Sequence, residues 1–268
     1  MSLPLADASS QSTHLAVLID ADNAQAAVIE PLLAEVAKYG EATVKRIYGD
    51  FTAPTSAQWK KALNKHAIKP VQQFAYTTGK NATDSTLIID AMDLLYTGRF
   101  GGFCLVSSDS DFTGLALRIK EEGLIVLGFG ERKTPDAFRN ACHKFIFTEL
   151  LRPDADAATK ASADRDSARR KSGGKGKKGN QESPAESTDG GLPKTFLIDT
   201  LNAASDEDGW ADLATYGNYL TKLQPDFDPR LYGYRKLSAL VQAQSKLFEV
   251  EQRQLPGSSQ AQYFVRAR

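Results

Sequence analysis

At 268 residues the chain is long enough for two domains, and its 33 Lys and Arg balance its 33 Asp and Glu, so no global basic field advertises a polyanionic partner. No apolar run approaches the roughly 20 residues needed to cross a membrane, and the amino-terminal MSLPLADASSQSTH lacks the basic and apolar regions of a secretory leader, so a cytoplasmic address is expected. Cys104 and Cys142 have no CxxC partner and the three histidines are scattered, which predicts buried thiols in a reducing compartment, no zinc site, and any chemistry run on carboxylates.

In chain order, strand-like runs at 15–20, 43–48, 70–75, 103–108, 124–129 and 144–147 alternate with amphipathic segments. Val28, Ile29, Leu32, Leu33 and Val36 make one helical stripe, and Phe112, Leu115, Ala116 and Ile119 another. Thr134-Pro135 reads as an N-cap followed by proline at the first helical position. The alternation predicts an α/β domain over residues 13–151, a doubly wound parallel sheet covered by helices. Asp20 closes the run LAVLID, Asp109 closes FCLVSSD, and Asp111 opens the helix that follows. Asp84 begins a helix whose apolar residues are Leu87, Ile88, Ala91, Leu94 and Leu95. At about 100° per residue, Asp84 falls within that inward arc, whereas Asp93 faces water. In an open parallel sheet, ligand sites form beyond the carboxyl ends of the strands. Four carboxylates gathered there repel one another unless protons or a hard divalent cation neutralise them, and Mg²⁺ or Mn²⁺ fits. Asp20 and Asp109 are expected as direct ligands, and Asp84 and Asp111 as ligands through water or as water-activating groups.

From residue 152 to residue 191 large apolar side chains nearly vanish, so the segment is expected to be a disordered tether. Its RDSARRKSGGKGKK stretch carries seven basic residues against one acid, a source of weak, salt-sensitive phosphate contacts. Residues 192–268 regain a compact pattern. A helix with Phe196, Leu197 and Leu201 precedes a second with Trp210, Leu213 and Leu220. A third, started by Asp228-Pro229, bears Leu237, Leu240 and Val241. Phe248 and Val250 then alternate in one strand, with Tyr263 and Val265 in another. Three helices and a hairpin describe a winged helix-turn-helix, a module that binds nucleic acid in some proteins and protein in others. Its nine basic and nine acidic residues cancel, although Arg230, Arg235 and Lys236 cluster on the expected third helix.

The segments LIDADN, GKNATDSTLIIDAMDLL and LVSSDSDF resemble the NYN family of PIN-like ribonucleases, in a bacterial branch, over nearly all of residues 15–150. DEDGWADLATYGNYL followed by FDPRLYGYRKLSALV is similar to the OST-HTH, or LOTUS, domain, a winged-helix module associated with RNA. The resemblance implies metal-dependent hydrolysis of RNA phosphodiesters, with the family's acidic positions at Asp20, Asp84, Asp109 and Asp111. It implies that Asn23 orients a carboxylate or a water and that Ser108 stands where many relatives carry glycine. Lys80 is placed to touch a substrate phosphate, as are Arg230, Arg235 and Lys236. Asp22 is not expected among the ligands. Two rival readings remain at this point. One is an RNA-binding adaptor without activity, using the winged helix for RNA or for a protein partner. The other is an aspartate-based phosphatase, suggested by the Asp20-Ala21-Asp22 pattern.

Overall fold

A computed structural model describes residues 13–52, 57–74, 82–152, 191–254 and 261–268. The chain divides into two compact units, Met1–Arg152 and Pro153–Arg268. The expected tether and Lys80 lie outside the described residues.

The first unit is built on six strands: β1 (His14–Asp20), β2 (Glu41–Gly49), β3 (Lys69–Gln72), β4 (Gly102–Val106), β5 (Ile125–Gly130) and β6 (Lys144–Phe147). Their order is β3-β2-β1-β4-β5-β6, and every pair is parallel. β1 is buried from Leu15 through Asp20, as a strand covered on both faces must be. On one face, Val17, Ile19, Ile47, Val106 and Phe129 pack beneath α1 (Ile29–Val36) and Trp59 of α2 (Ala57–His66). The other face carries α3 (Ala82–Tyr96), α4 (Thr113–Glu121) and α5 (Asp136–Ala141). There Tyr48 and Arg46 both reach Asp90 of α3, and Phe138 of α5 meets Phe145 edge-on. Because β1 is followed by β2 on one side and β4 by β5 on the other, the chain diverges between β1 and β4 and opens a crevice at their carboxyl ends.

Two local expectations change. β4 ends at Val106, and although the Ser107 amide still donates to the Phe129 carbonyl of β5, Ser107 and Ser108 lie past the strand. The first bonds of α5 go to the Pro135 carbonyl, so Pro135 is the N-cap; the Thr134 hydroxyl instead donates back to the Glu131 carbonyl. Asp90, on the flank of α3, is tied to Arg46 of β2. Both cysteines are free and buried, and burial pushes the Cys142 thiol up to about 12. Among the described residues, no helix is long and apolar enough to cross a membrane.

In the second unit, α6 (Lys194–Ala204), α7 (Leu213–Leu223) and α8 (Leu237–Ala243) pack on an antiparallel sheet of β7 (Trp210–Asp212), β8 (Phe248–Gln254) and β9 (Ala261–Ala267). The sheet order is β7-β9-β8. Leu197, Leu201, Tyr216, Leu220, Leu240, Phe248 and Val265 form its core, and the buried Tyr216 hydroxyl donates to the Leu197 carbonyl. Trp210 is thus not in the second helix. Asp212 accepts from the Ala214 and Thr215 amides and starts α7 three residues later than the apolar pattern suggests. Trp210 pairs with Arg266 in the ladder, and the Arg253 and Arg266 guanidiniums lie 4.4 and 4.7 Å from its ring. The expected third helix is also interrupted. Asp228 caps a single 3₁₀ turn, Pro229–Tyr232, which ends at Gly233 in the left-handed region (φ +83°), and α8 begins only at Leu237.

Candidate metal centre

Asp20 is wholly buried at the end of β1, and the turn after it wraps around its carboxylate. The Asp22 amide donates to Oδ1 at 3.0 Å, and Asn23 Nδ2 donates to Oδ2 at 2.8 Å. Ser107 Oγ donates to the same Oδ2, also at 2.8 Å. A buried carboxylate needs such donors, since desolvation without them would be prohibitive. Ser107 then accepts from the Asp109 amide at 3.1 Å, so one hydroxyl joins the ends of β1 and β4. Asp109 in turn caps the 3₁₀ turn Ser110–Phe112, accepting from the Asp111 amide at 2.9 Å. This short turn places Asp109 and Asp111 side by side at the entrance to α4.

Asp84 comes from the first turn of α3, which crosses from the β3 edge back to β4. Asp90 in the same helix bonds to Arg46 and Tyr48 of β2, and Thr86 accepts from Gln73 just beyond β3. Together they set where the amino end of α3 sits. One oxygen from each of Asp84, Asp109 and Asp111 lies within 4.8 Å of the others. Partial burial raises the Asp84 carboxyl to about 6, with Asp20, Asp109, Asp111 and Asp22 adding to the effect. Carboxylates crowded in this way repel one another, and either a proton or a cation relieves the repulsion. Oxygen-only donors at this spacing suit a hard cation such as Mg²⁺ or Mn²⁺.

The four aspartates singled out in the sequence therefore divide. Asp84, Asp109 and Asp111 come together, whereas Asp20 stands outside the group within 4.8 Å and is occupied by its three donors, near enough to raise Asp84. Asn23 sits on Asp20. Ser108 accepts from the Glu131 amide at 2.8 Å and so links the β4 loop to the β5 loop. Ser107, not singled out beforehand, is the connecting residue. Its signal was available only as a hydroxyl two residues before Asp109, without a hint that Asp20 would be its other partner.

In the second unit, Arg230 wraps the buried Asp228 carboxylate, with Nη2 2.7 Å from Oδ2. Arg235 and Lys236 are exposed between the 3₁₀ turn and α8, so the three cations do not share one helical face.

Comparisons with known proteins give the following. The NYN domain model matches residues 14–151, and the OST-HTH/LOTUS domain model matches residues 192–259. Among solved structures, the chain is similar to the solution NMR structure of an uncharacterized protein from Nitrosomonas europaea. The two are 46% identical over 36% of this chain and 92% of that one, with a TM-score of 0.29. It is also similar to the crystal structure of a protein of unknown function from Vibrio parahaemolyticus, at 19% identity over 52% of this chain and 94% of that one, with a TM-score of 0.44. No curated protein matches the chain.

Proposed function

The chain belongs to the NYN domain family, whose members are typically nucleases, and carries an OST-HTH/LOTUS domain, a type associated with RNA; from that premise we propose that it is a divalent-metal-dependent ribonuclease with its own RNA-binding module. The observation that carries this reading is the convergence of Asp84, Asp109 and Asp111 within 4.8 Å at the crevice where the strand order diverges. These three carboxylates would hold Mg²⁺ or Mn²⁺. A bound cation of this kind supplies Lewis-acid stabilisation of phosphoryl oxygens and acidifies water.

The protein's own groups do the rest. Asp20 takes no direct part in bond making. Held by Asn23 and Ser107, it adds a fixed negative charge beside the trio and keeps the β1 and β4 ends in register. Asp84 and Asp111, on opposite elements, orient the attacking water, and one of them accepts its proton as oxygen attacks phosphorus, while the bond to the leaving ribose oxygen breaks and that oxygen takes a proton from solvent. The winged-helix unit supplies affinity for the strand. The phosphatase alternative is disfavoured because its nucleophile would be Asp20, which is fully buried with both oxygens engaged. The adaptor alternative makes a different prediction for the same assay. Purified protein is incubated with mixed RNAs in Mn²⁺, Mg²⁺ or EDTA, beside Asp109→Asn. Cleavage that requires metal and Asp109 supports the proposal. Retained RNA binding with no cleavage in either metal refutes it in favour of the adaptor.

A further inference from the structure

Carboxylates dominate the carboxyl edge of the sheet, which poses a problem for any polyanionic substrate. Among the described loops that follow the six strands stand Asp22, Asp50, Asp109, Asp111, Glu131 and Glu149, beside Asp20 and Asp84, against only Arg132, Lys133 and Arg152. Those three cations all lie beyond β5 and β6, on one side of the carboxylate trio. The turn after β5 that carries two of them is built rigidly. The Glu131 amide donates to Ser108 Oγ at 2.8 Å, the Thr134 amide donates to the Glu131 carbonyl at 2.9 Å, and the Arg132 amide donates to Glu149 Oε1 at 2.9 Å. Gly130 presses so closely on the β4 loop that a Cβ there would lie 2.5 Å from the Ser107 carbonyl oxygen. The turn cannot move independently of the segment that carries Asp109.

The side chains on this turn are not equivalent. Lys133 is paired with Glu131 at 2.9 Å. Arg152 contacts Gln25 at 3.4 Å. Arg132 is exposed, and among the described residues its guanidinium has no hydrogen-bond or ion-pair partner. An arginine whose own amide is tied to Glu149, in a turn held by two further bonds, but which is left uncommitted at its tip is arranged for an external anion, and a guanidinium matches a phosphodiester with two parallel hydrogen bonds. We propose that the β5–α5 turn is the phosphate-positioning element of the site. Arg132 binds a backbone phosphate of single-stranded RNA next to the scissile one, and draws the strand over the carboxylates from the β5–β6 side. This assignment rests on the ribonuclease reading for its substrate, but not for its anion.

The test uses the full-length protein and a fluorescein-labelled single-stranded oligouridylate. Steady-state cleavage in Mn²⁺ and equilibrium binding by anisotropy in EDTA are both measured across a salt series. Arg132→Gln is compared with wild type, with Arg132→Lys, and with Lys120→Ala, which removes an exposed cation in the last turn of α4, at the amino edge of the sheet. Arg132→Gln is expected to raise KM about tenfold with kcat unchanged, and to flatten the dependence of log affinity on log salt by about 0.7. Arg132→Lys should recover part of the loss, and Lys120→Ala should match wild type. Unchanged melting temperatures establish that the variants are folded. If wild type binds without cutting, the ribonuclease reading falls, yet a tenfold weaker anisotropy Kd for Arg132→Gln still supports the phosphate site. Wild-type KM, Kd and salt slope in Arg132→Gln overturn it. An equal loss in Lys120→Ala overturns it too, because the effect is then one of overall charge.

Discussion

If Asp84 is a metal ligand, a proton must compete with the cation for it, and the strength of that competition follows from the site. Its carboxyl is raised to about 6 by burial and by Asp20, Asp109, Asp111 and Asp22, so the fraction ionised falls from about nine-tenths at pH 7 to about one-tenth at pH 5. Apparent Mn²⁺ affinity should therefore weaken about tenfold over that interval through this group alone, and Asp84→Asn should bind more weakly at pH 7 and lose that share of the pH dependence. The sign for stability is opposite. The folded carboxyl holds its proton more tightly than the unfolded one, so stability of the metal-free protein falls as pH rises from about 4 to about 6, and the cost persists at pH 7. Solvent screening of this half-exposed group reduces that cost to about 1 kcal/mol. Asp84→Asn should accordingly raise the metal-free Tm by a few degrees while weakening Mn²⁺. Isothermal titration with Mn²⁺ at pH 5 and pH 7, with melting curves in EDTA, reads both effects. Equal affinity at the two pH values, or an unaltered pH dependence in Asp84→Asn, would refute the placement of Asp84 in the coordination set.

Other perturbations read the remaining parts of the molecule. Ser107→Ala removes the hydroxyl shared by Asp20 and the Asp109 amide, and should lower kcat at least tenfold with little change in Kd for RNA; an unchanged kcat would mean that the two strand ends hold their register without it. Arg230→Ala strips the buried Asp228 of its ion pair and should destabilise the second unit by about 1–3 kcal/mol, seen as a lower urea midpoint for its transition, whereas a loss of RNA affinity at unchanged stability would return Arg230 to the binding surface. Deleting residues 152–268 should raise KM for RNA and flatten its salt dependence while leaving kcat near wild type; intact KM would assign the winged-helix unit to a protein partner.

The parallel sheet and three of the converging carboxylates were legible in the sequence for local reasons. Buried parallel strands must be continuously apolar, so LAVLID and FCLV announce themselves, and the first polar residue after such a run lies at the carboxyl edge. Asp84 was legible because helical period alone places it on the inward arc. Trp210 was not, since a three-residue strand has too short a period to separate from the helix that Asp212 caps. The break at Gly233 was hidden by a valid start signal at Asp228-Pro229 and a valid apolar pattern from Leu237, and only packing reveals that no helix joins them. The division between Asp20 and the trio, and the bridge made by Ser107, were decided by tertiary structure. Asp20 and Ser107 are 87 residues apart, and no local pattern records which strand end will receive a hydroxyl. The same holds for Arg132, whose place beside the carboxylates comes from a bond between its turn and Ser108 across neighbouring strands. Backbone periodicity encodes which residues reach the edge of the sheet, but strand order and loop-to-loop hydrogen bonds determine which of them meet.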